Sequence, residues 1–115
     1  MTKLRLLLLG LPQIEQDGRP VAFDTRKATA LLAYLALTRQ AHTREALAAL
    51  LWPEYDTQRA YANLRRTLWT LNQGLGKEWL DAEQDAIVLK RDAGFWLDVD
   101  AFHEHLADVA FARGL

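Results

Sequence analysis

The sequence predicts an α+β fold: antiparallel strands first, three helices in the middle, a hairpin after them, and a short helix last. Three observations carry this. The first twenty or so positions hold short strand-like runs, Leu4, Leu6 and Leu8 at the period of a strand among them, with the hairpin signal Asp17-Gly18 between the last two. Three successive segments then repeat apolar residues at helical spacing, each behind a capping residue. Past Gly74 and Gly76 the pattern returns to short strand-like runs. At 115 residues the chain is long enough to bury a real core.

Each element has a local reason. Leu4, Leu6 and Leu8 alternate with Arg5, Leu7 and Leu9, so 4–9 reads as a strand buried on one face and largely on the other. Residues 10–12 break it, and 13–16 form a short polar strand. Asp17-Gly18 signals a hairpin, because both central residues of a type I′ turn take positive φ. Val21 and Phe23 alternate with Ala22 on the returning strand, and Pro20 at its start suits an edge. Residues 4–23 thus read as a three-stranded antiparallel meander. Either Asp24 or Thr25 caps the next helix. Over 26–39, Ala28, Leu31, Leu32, Leu35 and Ala36 share one face, with Arg26, Lys27, Arg39 and Gln40 off it. Thr43 caps a second helix, 44–52, with Leu47, Leu50 and Leu51 inward, and Pro53 stops it. Asp56 caps a third, about 57–74, with the stripe Tyr61, Leu64, Leu68, Leu71 and Leu75; Gly74 and Gly76 end it. Strand-like runs follow at 79–83, 86–90 and 95–99, the first two joined at Gln84-Asp85. Either Asp98 or Asp100 caps a last helix with Phe102, Leu106 and Val109 inward.

Composition removes several function classes. Half the residues are apolar and a quarter charged, as in ordinary globular proteins. Cysteine and serine are both missing. Thiol and serine nucleophiles, cysteine zinc sites and disulfides are thereby excluded. His103 and His105 lie two apart on a helix, whereas a helical metal pair sits at i and i+4. There is no Gly-rich phosphate loop and no carboxylate pair with a plausible cleft, so neither an enzyme nor a cofactor or metal protein is expected. No apolar run reaches the ~18–20 residues of a membrane span. The run at 4–11 lacks a small-residue cleavage site and passes straight into strand-like sequence, so it is not read as a signal peptide. A cytoplasmic protein is expected.

Two helices joined by the four-residue turn Pro53–Asp56, the second longer and basic, read as a helix-turn-helix, and the hairpin after them reads as a wing. The whole is an α+β winged helix-turn-helix with an N-terminal antiparallel β-sheet, a three-helix core, a C-terminal β-hairpin wing and a short trailing helix. The net charge is only -1, so any nucleic-acid surface must be local. It is local: residues 57–77 hold Arg59, Arg65, Arg66 and Lys77 and no acid, while 78–115 hold nine acids and three basic residues. At about 100° per residue, the face opposite Leu64 and Leu71 carries Arg59, Ala62, Arg66, Trp69, Thr70 and Gln73, with Asn63 bordering it and Arg65 on a flank. Arginine pairs bidentately with guanine and asparagine with adenine, and small residues allow close approach. Arg59, Asn63, Arg66 and Thr70 are therefore expected to read bases. Thr43, with the amides opening its helix, and Arg44, Arg65 and Lys77 are expected to contact phosphate. The bland alternative is a solvated helix face.

The sequence also resembles a known family, the Streptomyces antibiotic regulatory protein (SARP) class of bacterial activators, in its N-terminal OmpR-type winged-helix domain. The resemblance runs over about 4–112. It is carried by Leu4-Arg5-Leu6-Leu7, by Asp17-Gly18-Arg19-Pro20-Val21, and by residues 26–37 from Arg26 to Leu37. It continues in Thr43-Arg44-Glu45-Ala46-Leu47, Leu51-Trp52, residues 59–66 from Arg59 to Arg66, and 96–102 from Trp96 to Phe102. It implies a transcriptional activator that binds double-stranded DNA on direct repeats near a promoter and contacts RNA polymerase through its sigma factor. Docking geometry and the family together suggest head-to-tail protomers, a homodimer on DNA, about one helical turn apart. It also implies that 1–98 form the DNA-binding domain and 99–115 begin a following helical, activation-type domain.

Two features depart from the family pattern. Asn72-Gln73 stand where the family often has two arginines, and Asp81, Glu83 and Asp85 make the wing acidic, which opposes a minor-groove contact and leaves Lys90 and Arg91 as backbone contacts. These departures favour a rival reading: a protein-interaction module docking RNA polymerase or a sibling domain, with weak non-specific DNA affinity. Trp52, Trp79 and Trp96 fit core aromatics, and His42 reads as a solvated loop residue or a phosphate donor. Trp69 either tucks under the wing or packs on a partner or a DNA sugar.

Overall fold

The computed structural model describes residues 3–23, 25–82, 84–91, 94–112 and 114. The chain divides into two compact units, one made of Met1–Pro20 and Ala93–Leu115, the other of Val21–Asp92.

The first unit is built on a four-stranded sheet ordered β3-β2-β1-β7, from β1 (Leu4–Leu7), β2 (Gln13–Gln16), β3 (Arg19–Val21, running into the second unit) and β7 (Phe95–Leu97). β1 runs antiparallel to β2, with Leu6 opposite Ile14, and parallel to β7, with Leu6 opposite Leu97. All three of these side chains are buried, as is Leu4. On the other face Arg5 lies opposite Glu15 and Trp96. Its guanidinium pairs with Glu15 at 3.2 Å and sits 4.7 Å from the Trp96 ring centroid. Trp96 is accordingly exposed rather than a core aromatic. The hairpin turn has φ of 53° at Asp17 and 81° at Gly18, the positive pair that the sequence signalled. The sheet gains its fourth strand from the far end of the sequence, which local pattern could not show.

β1 stops two residues before its expected end. The amides of Leu8 and Leu9 donate to the Asp98 carboxylate, at 2.9 and 3.0 Å. Asp98 opens α4 (Asp98–Ala112). Phe102, Leu106 and Val109 are exposed, not inward as their spacing suggested. Among the described residues α4 packs on β1 and β7.

The second unit holds α1 (Arg26–Thr38), β4 (His42–Thr43), α2 (Arg44–Leu51), α3 (Thr57–Leu75), β5 (Leu80–Asp81) and β6 (Ala86–Leu89). Thr25 caps α1, accepting from the Ala28 amide at 3.3 Å; Asp24, the other expected cap, lies outside the described residues. The α1 stripe of Ala28, Leu31, Leu32, Leu35 and Ala36 is buried throughout. It meets Leu47, Ala48 and Leu51 of α2 and Leu64, Leu68, Leu71 and Leu75 of α3 in one core. Leu50 points out, because an eight-residue helix turns only one stripe inward. Tyr61, expected on the α3 stripe, is 36% exposed at its edge.

Three further differences have clear causes. β3 ends at Val21, and the Phe23 ring packs against α3 instead of extending the strand. A Cβ at Gly74 would fall 2.5 Å from that ring. Gly74 therefore sits inside α3 to admit Phe23, and the helix ends at Gly76, whose φ is 95°. His42 lies in a strand, not a loop. β4 pairs antiparallel with β6, giving a three-stranded sheet ordered β4-β6-β5. The His42 ring is half-buried, 2.7 Å from the Thr38 hydroxyl and 4.8 Å from Tyr34 between centroids.

Candidate nucleic-acid interface

α2, the turn and α3 form the helix-turn-helix. Thr43 caps α2 by accepting from the Ala46 amide at 3.0 Å, and Asp56 caps α3 by accepting from Arg59 at 2.8 Å. The turn between them is closed by Trp52 N–H to Ala48 at 3.0 Å and Tyr55 N–H to Trp52 at 3.2 Å. Lys27 adds a tie that its position off the α1 stripe concealed. Its ammonium donates to the Leu51 carbonyl and lies 5.8 Å from the Trp52 ring. A cation at a helix C-terminus satisfies the last carbonyls and complements the dipole. The start of α1 thus holds the end of α2, and with it the turn that aims α3.

α3 presents the expected face. Arg59, Arg65, Arg66, Trp69 and Gln73 are exposed, and Ala62, Asn63 and Thr70 are half-buried beside them. Arg59, Asn63, Arg66 and Thr70 follow one another at intervals of 4, 3 and 4 and share a stripe. The Thr70 hydroxyl donates to the Arg66 carbonyl at 3.0 Å, which holds it against the helix. The Arg59 guanidinium lies 5.9 Å from the Tyr55 ring. Among the described residues Arg65 and Arg66 have no ion pair, so their charge is uncompensated at short range.

The expected phosphate contacts separate into two kinds. Arg44, Arg65 and Lys77 line one groove of about 590 Å³ beside α3, together with Tyr61, Leu64, Leu68, Trp69, Asn72 and Ala82. Thr43 is outside it, exposed, with its hydroxyl engaged as a cap. Arg44 is half-buried and already committed. Its guanidinium donates to the Ala82 carbonyl at 2.5 Å, and its amide donates to the Asp85 carbonyl at 2.9 Å. It clamps the wing to the first residue of α2. The wing is the β5–β6 hairpin, with Leu80 opposite Leu89 and Lys90 N–H bonded to the Trp79 carbonyl at 2.9 Å. Asp81 and Asp85 are exposed on it, and Glu83, the third acid, lies outside the described residues. Lys90 is exposed and Arg91 half-buried. Trp69 is 64% exposed, on the α3 wall of the groove. Neither Trp69 nor Asn72 as a groove wall was readable from the helix alone, because the opposite wall comes from the wing.

A scan against known protein families finds no match, and no curated protein matches either. Among solved structures, the chain is similar to Mycobacterium tuberculosis EmbR, solved in complex with a low-affinity phosphopeptide. The likeness has a TM-score of 0.68 at 25% identity and covers 83% of this chain. It covers 27% of that chain, so this sequence spans about a quarter of EmbR's length. Among the described residues the mixed α+β arrangement of four helices and two sheets is compatible with a winged-helix fold like that of EmbR, and the likeness supports an OmpR-type winged-helix domain.

Proposed function

We propose that this chain is the DNA-reading part of a bacterial transcriptional activator of the SARP class, binding double-stranded DNA sequence-specifically with α3 in the major groove. The observation that carries this reading is the α3 face itself. A 19-residue helix presents three exposed arginines, and 57–77 contain no acid although the chain has a net charge of -1. Phosphate neutralisation supplies the sequence-independent affinity. Arg59, Asn63, Arg66 and Thr70 then read base edges, while Arg65 and Lys77 hold backbone, with Thr43 and its helix-opening amides alongside. The likeness to EmbR supports a regulator domain. Residues 99–115 begin the helical part that couples the bound domain to RNA polymerase, and two protomers sit head to tail on direct repeats.

One observation favours the rival reading of a protein-docking module: the wing carries exposed acids where phosphate would lie. Binding of the 115-residue chain to its preferred duplex and to an unrelated duplex, followed across salt, decides between them. DNA reading requires affinity that falls steeply with salt and a gap between the two duplexes of at least about 10³-fold. Equal, weak binding that vanishes at moderate salt would assign the surface to a protein partner.

A further inference from the structure

The sequence holds a second charge pattern beside the cations of α3. Residues 45–58 contain Glu45, Glu54 and Asp56 and no basic residue. They span most of α2, the turn and the first residues of α3. A cavity of about 310 Å³ opens where these pieces meet. Glu45, Ala48 and Trp52 line it from one face of α2 and its cap, at i, i+3 and i+7. Ala60 and Tyr61 line it from α3, and Tyr55 from the turn. Ala48 and Ala60 are both buried, and their small side chains leave room between the two helices.

Three aromatic residues and one carboxylate thus share a small cavity. Among the described residues no ring contact joins Trp52, Tyr55 and Tyr61 to one another, and Glu45 has no ion pair. Glu45 is exposed, and Tyr55 and Tyr61 are 42% and 36% exposed, so a ligand reaches all three from solvent. The chain itself shows what these rings attract. The Lys27 ammonium stands 5.8 Å from the Trp52 ring and the Arg59 guanidinium 5.9 Å from the Tyr55 ring, yet neither cation lines the cavity. We propose that this cavity binds an alkylguanidinium group. The Glu45 carboxylate accepts its N–H groups, and the aromatic walls take its planar face. An ammonium meets the charge but offers no plane to the rings. Phosphate is repelled by the carboxylate, which sets this site apart from the basic face of α3. A volume at the lower end of ligand sites suits a group the size of an amino-acid side chain. The site stands on this geometry alone and does not depend on the DNA reading above.

The test titrates the isotope-labelled 115-residue chain, without DNA, with butylguanidinium at near-physiological salt. The expected result is saturable shifts centred on Glu45, Tyr55 and Tyr61. Butylurea has nearly the same shape and no charge, and should bind about tenfold more weakly. Butylammonium should also bind more weakly. Glu45→Gln should weaken butylguanidinium roughly 3- to 10-fold, and Tyr55→Leu roughly 2- to 5-fold. Both positions are exposed, and unchanged amide shifts in α1 verify that each variant keeps its fold. A capped pentapeptide with one central arginine separates the sources of the group. Binding as tight as butylguanidinium's makes the occupant an arginine side chain of a partner protein; exclusion of the peptide makes it a free small cation. Shifts that do not saturate, equal binding of butylurea, indifference to Glu45→Gln, or equal shifts at Asp81 and Asp85 would overturn the site. None of these readouts involves a duplex, so failure of the DNA reading leaves the titration to judge the site.

Discussion

Individual residues divide into those that hold α3 and those that α3 offers. Arg66 belongs to the second group. It is exposed, without an ion pair among the described residues, and its side chain has no structural task there. Arg66→Ala should leave the melting temperature nearly unchanged while costing about 1–3 kcal/mol of binding to the preferred duplex and relaxing selectivity at one base pair. A loss of equal size on every duplex would make it a phosphate contact. Arg65→Ala should weaken all duplexes alike and reduce the slope of log affinity against log salt by about 1. Leu64 and Leu71 are poor substitutes for such tests. Truncating either costs about 2–5 kcal/mol of stability and confounds binding with folding. Gly74 shows the opposite logic. Replacing an exposed helical glycine with alanine ordinarily stabilises by about 1 kcal/mol. Here the added Cβ meets Phe23, so Gly74→Ala alone should yield no gain, whereas in a Phe23→Ala background the ordinary gain should return. Additive effects in that double-mutant cycle, measured by urea unfolding, would show that the contact carries no energy.

At the scale of elements, the local signals were mostly legible. Thr25, Thr43 and Asp56 each bond the amide three residues on, as capping chemistry predicts, and the α1 stripe is buried to the residue. What escaped was non-local. β7 joins β1 in parallel, and β4 extends the wing sheet; each pairs residues far apart in sequence, so no short window contains both partners. The α4 stripe misled for the same reason, since periodicity shows a face but not whether anything covers it. In the site, the α3 face was legible because all its residues ride one helix. The groove was not, since Lys77 and Ala82 join it only through the fold. Arg44 is the case that tests this distinction. Read locally it is a phosphate contact; in the structure it clamps the wing. Arg44→Ala should destabilise the protein by about 1–2 kcal/mol and speed amide hydrogen exchange selectively in β5 and β6. Unchanged exchange there, with a lower salt slope for DNA, would return Arg44 to the phosphate role.

The molecule as a whole is slightly acidic, so the proposed DNA binding draws nothing from net charge. It rests on segregation: the cations of 57–77 stand on α3 and just beyond it, while most acids lie after residue 77. Such a surface should bind DNA with a salt dependence set by a few contacts and with affinity that a second protomer multiplies. The most direct test of sequence reading by α3 is selection from a randomised duplex pool with the 115-residue chain at near-physiological salt. Reading by α3 should enrich one motif, repeated at about 10–11 base pairs, and lose one position of that motif when the selection is repeated with Arg66→Ala. A pool that stays random, with binding gone at moderate salt, would contradict it.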